Sequence, residues 1–308
     1  MMMKTPGYLV LLLTISFLLL SCGQKKRGLE QKEESVTIET YWTYDADREF
    51  TIEELYMMKD CGSCSEMKHF EPVTNTLEIP VLSDIYARND KCAELYFPGC
   101  HYSTSENFCM KTMAQPGNQM QFPIGTDIYQ AFSVFVPSDY SHKADWNVIY
   151  QFHGHPDGYP DDFGSCDNWR SPPFSIALNP DNWIVWGRYS KHKCDTEGNK
   201  SVTTMVLQDK QQVVKGAWTH FVIHIRFDYK GDGRCEVWLR DGENDKPKQI
   251  VDYTGSLGFN DEEPSYDYAS FGYYYGNSEG PDVKLYFDRI VFAKPGKGET
   301  LEDLMYNK

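Results

Sequence analysis

Gln151 and His153 stand two residues apart in the run Asn147 to His153, which is built of apolar and β-forming residues and stops at Gly154. A strand alternates its side chains between two faces, so the amide and the imidazole share one face and Tyr150 and Phe152 take the other. A second run, Tyr268 to Tyr275, sets Tyr268, Ser270, Gly272 and Tyr274 against Phe271, Tyr273 and Tyr275 by the same rule. Laid side by side, the two runs offer an imidazole, an amide and a phenol on one surface. Imidazole titrates near neutrality and can take a proton from carbon beside a carboxylate. A tyrosine hydroxyl can protonate a departing oxygen, and amide or cationic donors can neutralise the carboxylate as charge develops. Those are the groups needed to remove the C5 proton of a uronic acid in a polymer and expel the O4 of the next sugar, and the chemistry needs no metal or organic cofactor. Gly272 leaves a gap on the polar face, and a glycine inside a strand often marks close approach of a ligand. Taken singly, a strand histidine is as a rule structural and a tyrosine in a tyrosine-rich strand packs. Only the combination points to a site.

The elements that must hold these residues are strands. Alternation or β-forming composition predicts them at 36–44, 128–136, 147–153, 183–189, 202–207, 219–227, 235–240, 250–254, 268–275 and 283–293. Amphipathic helical periodicity is confined to two short stretches, Ile52 to Lys59 and Thr300 to Met305. Many strands joined by Gly, Asp, Asn and Pro turns predict an all-β, two-sheet sandwich. The best-marked hairpin runs from Thr219 to Phe227, turns through Asp228 to Gly233 and returns from Cys235 to Arg240. Asp228 and Asp232 raise a structural calcium, but the twelve-residue loop with its terminal Glu is missing, and turn chemistry accounts for them better. Gly158 to Pro173, rich in Gly, Asp and Pro, directly follows the His153 strand, where functional loops are commonly found.

Composition bounds the setting. Lys4 is the only charge in residues 1–21, Tyr8 to Leu20 is apolar, and Leu19, Leu20 and Ser21 before Cys22 have the form of a lipoprotein processing box. We therefore expect a cleaved signal at 1–21, lipidation at Cys22, a charged tether over 22–36 and a single catalytic domain over 37–308, lipid-anchored in the cell envelope of a Gram-negative bacterium. Nine cysteines less Cys22 leave eight, an even number that fits up to four disulfides in an oxidising compartment. Cys61 and Cys64 have redox or zinc spacing, but no second close pair with His partners follows, so a structural disulfide is the better reading. The formal charge of −15 excludes nucleic acid as a natural partner. It also weighs against a very highly sulfated substrate. With 21 Tyr and 7 Trp the chain has many rings suited to stacking on sugars. A monomer is expected.

The run Gln151, Phe152, His153 together with Tyr268-x-x-x-Gly272-x-Tyr274 resembles the two signature strands of jelly-roll polysaccharide lyases, the heparin lyase I-like and alginate lyase-like groups with a concanavalin A-like sandwich. Gln151 to Asp157 is similar to the heparin lyase I-like pattern, with Phe152 in place of its Trp. The Trp218 to His224 strand, the Gly233 to Leu239 return and Tyr286 to Ile290 add to the likeness, which spans residues 90–295. The resemblance implies His153 as base and Tyr274 as acid, with Gln151, Tyr268 and Glu94 as substrate contacts. Relatives often carry a Lys at the position of Ser270 and an Arg-x-Glu-Leu strand where this chain reads Lys91 to Leu95. Glu94 matches that strand, and Cys92 replaces its Arg. Lys91, Arg188 and Arg226 are then the candidates for neutralising the carboxylate. The implied activity is β-elimination on an anionic polysaccharide, of the heparin or heparan sulfate, ulvan, glucuronan or alginate class, leaving 4,5-unsaturated ends. Two alternatives remain at this point. One is a non-catalytic lectin on the same fold. The other is a glycoside hydrolase, which needs two opposed carboxylates that no Glu-x-Asp-x-x-Glu strand supplies.

Overall fold

The computed structural model describes residues 37–44, 55–63, 93–97, 107–116, 123–141, 147–153, 171–179, 181–193, 201–242, 245–261, 268–275, 283–296 and 299–306. Among these residues there are fifteen strands and one helix. In chain order they are β1 (Thr37–Tyr44), β2 (Leu55–Ser63), β3 (Ala93–Phe97), β4 (Asn107–Pro116), β5 (Asp127–Phe135), β6 (Asn147–His153), β7 (Phe174–Asn179) and β8 (Asn182–Ser190). There follow β9 (Thr203–Gln212), β10 (Trp218–Arg226), β11 (Asp228–Asp241), β12 (Lys248–Phe259), β13 (Tyr268–Tyr275), β14 (Val283–Pro295), β15 (Glu299–Thr300) and α1 (Leu301–Tyr306).

The strands form two sheets. Sheet A runs β15-β1-β14-β5-β10-β11-β12, with β3 also on β14, and sheet B runs β8-β7-β6-β13-β4-β2, with β9 on the other side of β8. β12 links them, antiparallel to β11 along most of its length and then parallel to β8 at Gly258 and Phe259. The other pairings are antiparallel, as side chains that alternate between a core face and an outer face require.

Aromatic contacts across the gap show where the core lies. Phe132 of β5 stacks on Tyr150 of β6 at 4.7 Å, and Trp183 of β8 meets Phe221 of β10 edge-on at 5.1 Å. Phe152 meets Phe227 edge-on at 5.3 Å. The inner residues of each strand, such as Phe221, Ile223 and Ile225 on β10 or Ala269, Phe271 and Tyr273 on β13, belong to one cluster. Each large ring buried there contributes roughly 1.5–3 kcal/mol. Gln130 is the polar exception on the inner face of β5, and the Tyr150 hydroxyl donates to its side-chain oxygen.

α1 lies on the outer face of sheet A. Leu304 and Met305 cover Tyr129, Ala131, Val222, Val291 and Ala293. Thr300 caps the helix: its hydroxyl accepts from the Asp303 amide at 3.1 Å, and Asp303 accepts from the Thr300 amide at 2.8 Å. The Arg240 guanidinium donates to the Met305 carbonyl at 3.1 Å.

The expected all-β, two-sheet sandwich is the architecture found. The expected helix at Ile52 to Lys59 is not: Leu55–Ser63 is β2, paired along β4. A short apolar run fits either period, and a partner strand decides it. The cysteine arithmetic also needs correction at Cys235, a free and buried thiol on the inner face of β11, whose ionisation burial pushes well above the ordinary range. The Asp228 carboxylate accepts from the amides of Lys230 (2.7 Å) and Gly231 (3.2 Å), which is turn chemistry.

Candidate active site

Sheet B turns Tyr150, Phe152, Phe174, Ile176, Phe271 and Tyr273 into the core. Alternation therefore sends Gln151, His153, Ser175, Ser270 and Tyr274 to its outer face. A separate cluster of Val148, Ala177 and Ile184, against which Trp186 and Tyr274 pack, marks that same outer face.

Register arranges this face in rows across the strands. In the first row Tyr268 opposes His153, and the Arg188 amide donates to the Pro173 carbonyl at 2.8 Å, so Arg188 extends the row beyond β7. The second runs Ser270, Gln151, Ser175, Trp186 and Val206. The third runs Tyr274, Val148, Ala177 and Ile184. His153 and Gln151 are buried and Tyr274 is partly buried. The Oε1 of Gln151 has no hydrogen-bond partner among the described residues. A buried acceptor left without a donor is costly, and a sugar hydroxyl would satisfy it.

Gly272 has a backbone reason for being glycine. Between Phe271 and Tyr274, β13 carries one residue more than β6, and Gly272 adopts φ 145°, a bulge conformation that side chains disfavour. The bulge lies between the two tyrosines. Tyr268 is level with His153, whereas Tyr274 is level with Val148, five residues and roughly 16 Å further along β6.

The three cationic candidates separate. Arg188 lies on the site face: its NH1 donates to the Pro172 carbonyl at 2.8 Å and to the Ser175 hydroxyl at 3.3 Å, and its guanidinium stands 5.4 Å from the Trp186 ring centre. Burial pushes its pKa down to about 10, which leaves it charged at neutral pH.

Arg226 does not join them. It is on β10, where Ile225 and Phe227 face the core, and it forks onto Asp127 of β5 on the outer side of sheet A. Beside it His224 bridges Asp127 (2.8 Å) and Glu236 (2.6 Å) and stacks on Tyr129 at 4.4 Å. Burial would raise the Asp127 carboxyl, but hydrogen bonds from Arg226 and His224 outweigh it and hold the group below the usual range. Arg226 is thus tied into an ion network on the other sheet. Glu94 is on β3, opposite Tyr286, also in sheet A rather than beside His153. Lys91, Cys22 and most of the loop from Gly158 to Pro173 lie outside the described residues.

Trp186 and Ser175 belong to the face and were not singled out from the sequence. The period of two within β8 places Trp186 with Arg188 and was a usable signal. Ser175, inside an otherwise apolar run, gave none.

A two-sheet β-sandwich with a polar face of imidazole, amide, phenol and guanidinium on one sheet defines a jelly-roll protein that handles sugar polymers. The model of the polysaccharide lyase family matches residues 103–291, and the chain belongs to that family. Solved structures that share the fold include two lyases. An endo-β-1,4-glucuronan lyase from the fungus Trichoderma reesei is 12% identical with a TM-score of 0.54, the match covering 83% of this chain and 96% of that one. The marine PL-14 alginate lyase from Aplysia kurodai is 11% identical with a TM-score of 0.51, covering 83% of this chain and 100% of that one. No curated protein matches the chain. The protein is a polysaccharide lyase on an all-β jelly roll, which removes the lectin and the glycoside hydrolase from consideration.

Proposed function

We propose that this lyase cleaves an unsulfated uronic-acid polymer of the glucuronan or alginate kind by β-elimination, with His153 taking the C5 proton and a tyrosine of β13 protonating O4. The observation that carries the reading is the first row of sheet B: a histidine with a tyrosine directly opposite it, beside a buried amide. C5 and O4 flank one carbon, so the base and the acid must work within a few ångströms of each other. Tyr268 is the residue paired with His153 in the strand register, and that pairing supports it as the donor. Tyr274 is the second reading, supported by the motif likeness and by its place on the same face. Gln151 accepts from a sugar hydroxyl. The substrate class draws on the formal charge of −15, which disfavours heparin-like density of sulfate, and on the glucuronan and alginate lyases that share the fold. A tether at Cys22 would hold the enzyme at the cell envelope, where such polymers are met.

The test is ultraviolet absorbance of the C4–C5 double bond during incubation with glucuronan, alginate, ulvan and heparin. Absorbance with glucuronan or alginate, lost by about 10²–10⁴-fold in His153→Ala, is the expected result. Absorbance with heparin alone would overturn the substrate class, and full activity in His153→Ala would remove His153 as base.

A further inference from the structure

Val206 is 57% exposed. One exposed valine is ordinary on a protein surface, but this one is the register partner of Trp186. Met205 and Leu207 on either side of it pack against the core. Val206 therefore turns outward, onto the face that carries Gln151, Ser175 and Trp186. Trp186 is partly buried, packed on the cluster of Val148, Ala177 and Ile184, with the Arg188 guanidinium 5.4 Å from its ring centre. A ring fixed in advance loses little freedom when a ligand covers it.

The second row of sheet B thus changes character along its length. It carries a hydroxyl, an amide and a hydroxyl on β13, β6 and β7, then an indole and an isopropyl group on β8 and β9. Neighbouring strands lie about 4.8 Å apart, close to the length of one sugar in an extended polymer. A chain lying along the row with one sugar over Gln151 sets later sugars over Trp186 and Val206, two and three strands away. The polar end can exchange hydrogen bonds with hydroxyls. The apolar end contributes dispersion and the release of water. A pyranose meets such a surface with a face of C–H groups, and its stereochemistry decides whether it has one. In β-1,4-linked glucuronate every ring substituent is equatorial, so both faces present only axial hydrogens. Guluronate sets its linkage oxygens axially.

We infer that Trp186 and Val206 form a distal subsite that takes the C–H face of an all-equatorial uronate ring and so selects glucuronate over guluronate. The inference deepens the substrate reading above and rests on it for the sugar over Gln151. The subsite takes no part in the bond changes.

The experiment measures binding by calorimetry in the full chain carrying His153→Ala, so that ligand is not consumed, with glucuronate and guluronate hexasaccharides. The glucuronate form is expected to bind more tightly. Adding Trp186→Ala should weaken it about tenfold, the loss of one ring contact, and leave guluronate within about twofold. Adding Val206→Asn should weaken glucuronate about threefold, again with guluronate little changed. Equal weakening of both sugars, no weakening, or a parent that does not prefer glucuronate would overturn the inference. Should Trp186→Ala fail to fold, the exposed Val206 decides by the same ratio. Sedimentation is run alongside: a dimer that Val206→Asn dissolves, with sugar affinities unchanged, would give the patch to a second copy of the chain and overturn the subsite. Selective glucuronate binding without unsaturated product from the wild type would keep the subsite and sink the elimination reading. Product from glucuronan with unselective binding would do the reverse.

Discussion

His153 and its opposite residue set the finest scale at which the protein can be interrogated. The resemblance in the sequence directs attention to Tyr274, whereas the register directs it to Tyr268, and the two rows are roughly 16 Å apart along β6. Proton transfer needs heavy atoms within hydrogen-bond reach of the transferred proton. Tyr268 is level with His153 in the register, whereas Tyr274 packs on the Val148, Ala177 and Ile184 cluster in a row further along the sheet. Tyr268→Phe is therefore expected to lose about 10²-fold or more in kcat, and Tyr274→Phe less than about tenfold, with unsaturated-product formation as the readout. The reverse ranking would return the acid to Tyr274 and imply that β6 and β13 pair differently in the working enzyme.

Individual strands explain why some of the site could be read in advance and some could not. β5, β6, β13 and β14 announce themselves by alternation, and their sequence-derived bounds agree with the structure to within one or two residues. β7 escaped because it is a short run, Phe174–Asn179, directly after the Gly-, Asp- and Pro-rich stretch that ends at Pro173. β2 looked helical because its apolar spacing suits either period until β4 is beside it. Arg188 and Arg226 have the same local signature, a cation at an outer strand position. Only the long-range pairing, β8 with β7 in one sheet and β10 with β5 in the other, distinguishes a residue on the face of the candidate site from a partner of Asp127. Gly272 was legible as unusual but not for the reason that holds, since it is the bulge at φ 145° that requires it. Gly272→Ala should therefore cost about 1–3 kcal/mol of stability through a disfavoured backbone conformation, seen as a lower urea midpoint at unchanged slope. An unchanged midpoint would argue that β13 passes this point without a bulge.

Across the whole sandwich, chemistry and charge are segregated. Sheet B carries the candidate site on its outer face, and sheet A carries the Asp127, His224, Arg226, Arg234 and Glu236 network on its own outer face, with the aromatic core between them. That separation predicts which substitutions act on stability alone. Burial by itself would raise the Glu236 pKa, but hydrogen bonds from Arg234 and His224, with their charges, outweigh burial and hold it at about 2 against an ordinary 4.5. A carboxyl whose folded pKa is depressed stabilises the fold fully above its unfolded pKa and loses that contribution as pH falls through the folded value. Asp127 is shifted in the same direction. The window is thus from about pH 5 down to about pH 2, with the network intact at neutrality. Glu236→Gln is expected to cost about 2 kcal/mol at pH 7, in the range for hydrogen bonds to charged groups. It should flatten the fall in stability across the acid window, measured by urea unfolding at several pH values. Because the network faces away from sheet B, kcat/KM at neutral pH should stay within about twofold of wild type in Glu236→Gln. A larger loss of activity, with the fold intact, would mean that the two outer faces are coupled through the core and that the sheet A network belongs to the catalytic apparatus after all.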